Sequence, residues 1–422
     1  MSFWIPVLHF LRQMRVLEKG KAFVMRYELP DFVFLILLSA FPFFQLFRHP
    51  TLWMLPICVF LLLASLIHYV KQEKIELDVA DFLVLLFLLL QISTTLTGFG
   101  RAVDAMSAAV LTSVWFSARH FCKGTGMEHL AFFSTLALFA VSLVGIVEYL
   151  FGAAELRWVD AHRFGDIGGR VTSLFSNPNI LGVYLILYFP ISLWSTFSPK
   201  NTGWLRWFYA ATTALCTVCV LLTWSRGAWL GLVLECFLFL LFYSKKSRVV
   251  LLCLPPLALL SLPLLPQNFR GRLFSIGDLG ESSIRYRLQT WSGTWKLLGQ
   301  HPFGIGVGER AWRTVYPHYA VSGTATVMHA HNVFLQVATE LGVLGIFVFL
   351  LLIGFGIYRG WRQKNTVALA AVSGAVLMGM FDHLWYSPTM LVPFWSMLAF
   401  SLQQKQKTTI ENPFVDILHE KR

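Results

Sequence analysis

Charge is what this chain has least of. Only 13% of its 422 residues are charged, against about a quarter in an ordinary soluble protein. With 56% hydrophobic residues, that excludes a water-soluble globular domain and points to a polytopic membrane protein. Cysteine is sparse as well. Cys58, Cys122, Cys216, Cys219, Cys236 and Cys253 fall in apolar runs or, for Cys122, in a short cytoplasmic loop, so no disulfide is expected. Cys216 and Cys219 have no histidine beside them and read as packing rather than as a metal or redox pair. No cleavable signal peptide is recognisable. Residues 1–30 mix Trp4, Ile5 and Phe10 with Arg12, Arg15, Lys19, Lys21 and Arg26, the pattern of a basic amphipathic segment on the cytoplasmic face. The net charge of +12 raises nucleic acid as a partner. No loop carries a basic stripe with interleaved aromatics, and the positive-inside rule explains the excess better. Internal repeats and low-complexity segments are also lacking.

What is present is a series of apolar runs of spanning length. They lie at 32–47, 52–70, 79–97, 103–118, 129–151, 178–197, 205–223, 226–243, 249–265, 333–358, 366–382 and 388–403. The fourth is the weakest, because Asp104 and several small residues interrupt it. Lysine and arginine set the orientation. With the N-terminus inside, cytoplasmic segments hold 21 of the 34 basic residues. The short outward loops hold only Arg48, Arg101 and Arg226, and the rest lie in two longer outward loops, 152–177 and 266–332. The expected fold is an all-α integral membrane protein of about twelve transmembrane helices, with a large extracytoplasmic helical loop before the tenth. Its parts are a cytoplasmic interfacial segment (1–30), helices one to nine (31–265), the extracytoplasmic loop (266–332), helices ten to twelve (333–404) and a cytoplasmic tail (405–422).

One corner draws the unusual residues together. Met328 to Gly345 reads MHAHNVFLQVATELGVLG, a polar start with two histidines followed by an apolar run that lasts to Tyr358. A long loop here drops directly into the tenth helix. His331 and Asn332 sit at its N-terminus, where unpaired N–H groups and the positive dipole end face outwards. That setting favours a neutral imidazole, as a general base requires, and attracts anions. A lone histidine is more often a satisfied structural group, so His331 depends on its surroundings. His329-x-His331, with His301, His318 or His383, also suggests zinc. The two-residue step, the lack of a glutamate at a metalloprotease offset and the lack of outward cysteines argue for no metal.

Arginines supply the second signal. In LLTWSRGAWLGL almost no loop separates the seventh and eighth spans, so Arg226 sits at the outer boundary, with Trp224 and Trp229 as interfacial aromatics. It either snorkels to lipid phosphates or faces inward, where its guanidinium fork suits a phosphate. In SSIRYRLQTWSGTWKLLGQHPFGIGVG, Ser282 or Ser283 starts a helix on which Ile284, Leu288, Trp291 and Trp295 share a face. Arg287 falls about 60° from Ile284, beside that face, and Arg285 about 100° the other way. Pro302 with Gly304, Gly306 and Gly308 then forces a tight turn back towards His331. Arg170 precedes SNPN, in which Asn177 can cap and Pro178 can open the sixth span. Arg170 and Arg285 read first as ordinary loop charges. Glu235 lies about 13 Å below Arg226, too deep for surface chemistry, and reads as a hydrogen-bonded packing group.

SNPN, WSRGAWLG, the R-L-x-x-W of Arg287 to Trp291, HPFGIGVG and HNVFLQVATELGVLG, in that order, resemble the bacterial O-antigen ligase and O-antigen polymerase superfamily. The resemblance runs from Arg170 to Tyr358; the first five spans share only topology. It implies a multi-pass glycosyltransferase of the inner or plasma membrane. Such an enzyme moves a glycan from undecaprenyl pyrophosphate to a hydroxyl of an acceptor saccharide, with inversion and without metal or other cofactor. It also implies His331 as the base and Arg226 and Arg287 as the pyrophosphate clamp, with Arg170, Arg285, Asn332 and His329 as further candidates for substrate contact. The residues agree: a departing pyrophosphate needs fixed positive charge, and a sugar hydroxyl needs a neutral base. Ligase and polymerase share the donor and differ in the acceptor, a lipid A-core or a second lipid-linked glycan, so both readings stand. A glycoprotein oligosaccharyltransferase is a related alternative. A lipid-linked glycan flippase is the rival class, but transporters place their charges at the midplane, and here the spans are nearly free of charge.

Overall fold

The computed structural model describes residues 29–71, 77–121, 125–152, 169–251, 262–264, 266–321, 323–384 and 387–402. Among them every regular element is helical. The α-helices are α1 (Leu29–Ser39), α2 (Pro50–Lys71), α3 (Val79–Thr97), α4 (Ala102–Thr112), α5 (Val114–His120), α6 (Thr125–Leu150), α7 (Pro178–Phe197), α8 (Gly203–Leu222), α9 (Arg226–Tyr243), α10 (Gln267–Phe274), α11 (Ser282–Gln300), α12 (Glu309–Val315), α13 (Val333–Gln363), α14 (Thr366–Gly379) and α15 (Leu391–Leu402).

Seven of these, α2, α3, α6, α7, α8, α9 and α13, are long and apolar enough to cross a membrane. Three more apolar helices, at the positions of α1, α14 and α15, are shorter. The expected fourth span divides into α4 and α5 at Ser113, whose hydroxyl donates to the Val110 carbonyl at 2.7 Å. Such back-bonding competes with the helix ladder and bends it. The amphipathic segment expected over 1–30, most of the ninth span and the tail from 405 lie outside the described residues. Cys58, Cys216, Cys219 and Cys236 are free thiols; Cys122 and Cys253 fall outside the description.

The bundle is built around α7, which is buried along nearly its whole length and packs against α6, α8, α9 and α14. Its start follows the expected chemistry. Asn177 caps by accepting from the Asn179 N–H at 2.7 Å, and Pro178 takes the first turn, where a missing N–H costs nothing. WSRGAWLG acquires a packing reason: Gly227 and Gly231, four residues apart, bring α9 onto α14. A Cβ on Gly231 would stand 3.2 Å from the Gly374 carbonyl oxygen, so the backbones meet as small residues allow in membranes. Glu235 is fully buried one turn deeper. The hydrogen-bonded role expected for it does not hold, because neither carboxyl oxygen has a partner among the described residues. The carboxyl instead packs against the bare backbone of Gly374, where a Cβ would come within 2.5 Å of Oε1.

Two loop elements differ from expectation. The face of α11 turned inward carries Thr290, Gly293, Thr294 and Leu297, while Leu288 and Trp295 are 40% and 65% exposed. The small residues let α11 approach closely. A Cβ on Gly293 would meet the Tyr319 carbonyl at 2.9 Å and the Tyr316 hydroxyl at 3.0 Å. The glycine-rich HPFGIGVG segment is a clasp between two helices. Ile305 and Gly306 donate to the carbonyls of Thr339 and Glu340 at 2.8 and 3.1 Å, and Val343 donates to Pro302 at 2.9 Å. These carbonyls are free because α13 breaks at Gly342, at φ 72° and ψ −170°. On the other side Phe99 donates to the Ile305 carbonyl at 2.8 Å, and the Val307 N–H reaches Thr95 Oγ1 at 2.9 Å. Gly304 and Gly306 hold φ of 92° and 95°, which only glycine adopts without strain.

Candidate functional site

A cavity of about 560 Å³ opens where the N-termini of α7 and α9, the C-terminus of α14 and the loop before α13 converge under α10 and α11. Its depth is apolar, with Ile180, Val183, Leu230 and Met378. Its polar lining carries Arg170, Arg226, Arg272 and Arg287 together with His329, His331, Asp382 and His383. Asp382 is the one acidic side chain among the lining residues, so the wall is cationic on balance.

His331 sits just outside α13 in a left-handed conformation, φ 48°, which costs a non-glycine residue about 1–3 kcal/mol and persists only where its surroundings hold it. They do, through the preceding residue. The Ala330 N–H donates to Gln336 Oε1 at 2.9 Å, and the Ala330 carbonyl accepts from Trp291 Nε1 at 2.9 Å. Gln336 in turn donates to Glu340 Oε1 at 3.0 Å, which also accepts from the Gly308 N–H at 3.3 Å. The conspicuous residues of HNVFLQVATELG and R-L-x-x-W are thus the frame of the histidine loop.

The His331 ring meets Asp382, with Nδ1 3.2 Å from Oδ1. Burial alone would raise the Asp382 carboxyl. The hydrogen bond and charge of His331, with help from Arg287, hold it well below the usual carboxylate range. An ionised Asp382 only accepts, so a proton sits on Nδ1 of His331, and in the neutral ring the lone pair is then on Nε2. Asp382 is itself fixed by Asn179 Nδ2 at 2.5 Å and by the His383 N–H at 2.8 Å. Asn179 continues to Arg170, whose Nη2 donates to its Oδ1 at 2.8 Å while Nε donates to the Thr223 carbonyl at 2.8 Å. A single hydrogen-bonded chain therefore runs from Arg170 through Asn179 and Asp382 to His331.

The open helix end expected beside His331 is closed. Asn332 Oδ1 accepts from the N–H groups of Phe334 and Leu335 at 2.9 and 3.0 Å, which removes two of the donors available to an anion. Asn332 is thus a cap and does not line the cavity. Arg285 is exposed, donates to the Gly280 carbonyl at 2.9 Å and stays outside as well. The other candidates, Arg170, Arg226, Arg287, His329 and His331, all line the cavity. Arg272, Glu281, Asn179 and Asp382 escaped the sequence reading, and His383 entered it only as a metal ligand. Asn179 lies within SNPN, and Asp382 is a solitary acid at the end of an apolar run, which was the available signal.

The arginines crowd one another. Burial, then repulsion from Arg272 and Arg287, pushes Arg170 down to about 9. Burial and Arg226 push Arg272 down to about 10. Arg287 is lowered by burial, with Asp382 opposing. Such a group favours an anion that neutralises several cations at once. Trp224 and Trp229, expected as interfacial aromatics, pack on Phe269 of α10, Trp224 tilted and Trp229 stacked, with centroids 4.5 and 5.6 Å away. That stack docks α10 and hence Arg272. The Trp224 carbonyl accepts from Arg272 Nε and Nη2, both at 3.4 Å.

Ligand atoms of His329, His331 and Asp382 lie within 4.8 Å of one another, the spread of a metal site. Much of their capacity is in use. His329 Nδ1 accepts from the His331 N–H at 3.2 Å, and both Asp382 oxygens accept hydrogen bonds. Burial and neighbouring His331 hold His329 well below the ordinary imidazole range, and burial holds His383 at about 3. Both are neutral at physiological pH.

The fold and this cavity define a polytopic helical membrane protein with a cationic pocket built against a histidine–carboxylate pair. Residues 211–350 match the family model described as O-Antigen ligase, and the resemblance to the O-antigen ligase and O-antigen polymerase superfamily is thereby supported. The matched segment contains Arg226, Arg272, Glu281, Arg287, His329 and His331. The fold adds Arg170, Asn179, Asp382 and His383 from outside it. No curated protein matches the chain.

Proposed function

We propose that the protein transfers a glycan from undecaprenyl pyrophosphate to a hydroxyl of an acceptor saccharide, with inversion and without a metal. The observation that carries this reading is the meeting, in one cavity, of His331 paired to Asp382 and of four arginines. Nε2 of His331 takes the proton of the acceptor hydroxyl. The hydroxyl oxygen then bonds to the anomeric carbon as that carbon's bond to the pyrophosphate oxygen breaks. Asp382 offsets the imidazolium that forms, and the arginines hold the charge that develops on the departing lipid pyrophosphate. The apolar depth of the cavity suits the first prenyl units.

The reading includes a topology: about twelve spans, both termini cytoplasmic, and residues 266–332 with the cavity facing the periplasm or cell exterior. The acceptor is a lipid A-core in a ligase and a second lipid-linked glycan in a polymerase. The test is reconstitution of the purified protein in lipid with an undecaprenyl-pyrophosphate-linked glycan and each acceptor in turn. Transfer to either, lost in His331→Ala, supports the reading. Lipid-linked glycan that crosses the bilayer without transfer would replace it with the flippase alternative.

A further inference from the structure

Glu281 already occupies the arginines that a pyrophosphate needs. Its Oε2 accepts from Arg226 Nη2 at 3.0 Å, and its Oε1 accepts from Arg272 Nη1 at 3.4 Å. Arg226 Nη2 also donates to Ser283 Oγ at 2.7 Å, while its Nη1 donates to the carbonyl and hydroxyl oxygens of Ser275 at 2.9 and 3.0 Å. Each terminal nitrogen of Arg226 carries two hydrogens, and these four contacts account for all of them. Arg287 stands in a different state. It makes one long contact, 3.4 Å to Ser283 Oγ, and its Nε has no partner among the described residues. Both arginines line the cavity, whereas Glu281 reaches Arg226 from outside the lining. An anion in the cavity can therefore meet Arg287 directly, but gains Arg226 only by breaking a contact that the protein already makes.

On the reading that this cavity receives a lipid-linked pyrophosphate, we propose that Glu281 is a latch on the donor site. It holds Arg226 and Arg272 in the empty protein and releases them when the pyrophosphate arrives. The chemistry is an exchange of one oxyanion for another: two carboxylate oxygens span two guanidinium groups, as two phosphate oxygens would. Release is local. The Oε2 that accepts from Arg226 also caps α11 by accepting from the Ile284 N–H at 2.9 Å, so that oxygen can stay at the helix end while the guanidinium turns from it to the incoming anion. Arg287 makes the first contact and Arg226 completes the clamp. The latch weakens donor binding in the ground state, and in return the clamp forms only around a group carrying enough negative charge to displace a carboxylate.

The test measures binding of inorganic pyrophosphate to the purified full-length protein in lipid nanodiscs by calorimetry. Glu281→Gln keeps an oxygen for the cap and loses the charge. Glu281→Asp keeps charge and cap but is too short to span both arginines. Loss of a part-buried ion pair should tighten pyrophosphate binding about fivefold in Glu281→Gln, with a smaller gain in Glu281→Asp. The gain should vanish when Arg226 and Arg272 are both alanine, because the latch acts through them. Equal or weaker binding in both variants overturns the latch and makes Glu281 a support for the arginines. If wild-type binding is insensitive to Arg287→Ala, or if pyrophosphate does not bind, the cavity is not a pyrophosphate site and the latch falls with that reading.

Discussion

Asp382 Oδ1 lies 3.2 Å from His331 Nδ1 across 51 residues of chain, and α13 and α14 lie between them in sequence. The pairing fixes the tautomer of His331, so its effect can be separated from that of a generic buried acid. Asp382→Asn preserves size and an acceptor oxygen, but it can also present an NH2 group that favours the wrong tautomer. Transfer should fall at least about a hundredfold, while donor affinity stays within a few fold of wild type. His331→Ala should abolish transfer, again with donor binding retained, since a base acts only in the reaction. Near-normal turnover in the asparagine variant would remove Asp382 from the mechanism.

Arg287 and Arg285 are two residues apart on one helix and have different fates, which makes them a matched pair. Arg287→Ala should weaken pyrophosphate or donor binding by about 1.5–3 kcal/mol, roughly 10- to 150-fold. Arg287→Lys should recover part of that, because an ammonium lacks the planar fork. Arg285→Ala should leave binding unchanged. Equal losses from both would mean that the cavity does not separate them.

The helices were legible because long apolar runs between charged boundaries leave few alternatives in a membrane. Arg226 and His331 were legible because a cation or histidine at a span boundary calls for a partner, and Arg287 because it falls beside an apolar helix face; Arg170 read first as an ordinary loop charge. Which partner it finds is a tertiary matter. Asp382 and Asn179 reach His331 and Arg170 only when α7 and α14 come side by side, and nothing local to either residue announces that. The face of α11 was misread for a different reason. The close approach of α11 to Tyr316 and Tyr319 leaves room only for small side chains, so Thr290, Gly293 and Thr294 decided the packing and Leu288 and Trp295 stay exposed. Glu281 was hidden because it does two jobs: a residue before a serine pair reads as a helix start, and its arginine contacts come from two other elements.

Gln336 and Trp291 test whether the loop frame matters to the chemistry. Gln336→Ala strands the buried N–H of Ala330, at a cost of about 1–3 kcal/mol, and frees His331 to leave its strained conformation. Turnover should drop tenfold or more at unchanged donor affinity, as about 1.4 kcal/mol of lost positioning implies. Trp291→Phe, which loses only the bond to the Ala330 carbonyl, should fall in the same direction and less far. A variant that loses donor binding in proportion to turnover would show that Gln336 supports the cavity as a whole.

Acid should destabilise the site from the histidine side first. His383 is held at about 3 and His329 well below 6.5, so the unfolded chain takes up their protons more readily than the folded one. A depressed folded value gives stability that is fully present above 6.5, the ordinary value, and lost as pH falls towards the folded one. Asp382 and Glu281 do not contribute in that window, since both are held below their ordinary values of 3.8 and 4.5. The contribution of His329 and His383 to the apparent melting temperature in detergent should therefore be lost as pH falls from about 7 to about 5, where histidine titrates. His383→Gln, which has no charge to gain, should flatten that loss. An identical slope in both proteins would assign the acid sensitivity to other groups.

The sharpest choice at this site is between a base and a metal ligand, because His329, His331 and Asp382 are close enough for either. A zinc site needs open lone pairs, deprotonated ligands and second-shell partners that orient them. Here Asp382 spends its oxygens on Asn179, His331 and the His383 N–H, and His329 Nδ1 is taken by the His331 N–H. Arg287 also raises the electrostatic cost of a cation, being close enough to act on both Asp382 and His329. Transfer should therefore persist after prolonged treatment with EDTA or phenanthroline followed by desalting into metal-free buffer. Added zinc should inhibit, since it would compete for the lone pair on His331 that the acceptor proton needs. His329→Gln, which keeps a polar side chain but not an imidazole ligand, should retain most of the transfer rate. Activity that disappears with chelator and returns with zinc, together with a dead His329→Gln variant, would make the cluster a metal centre and remove His331 from its role as the base.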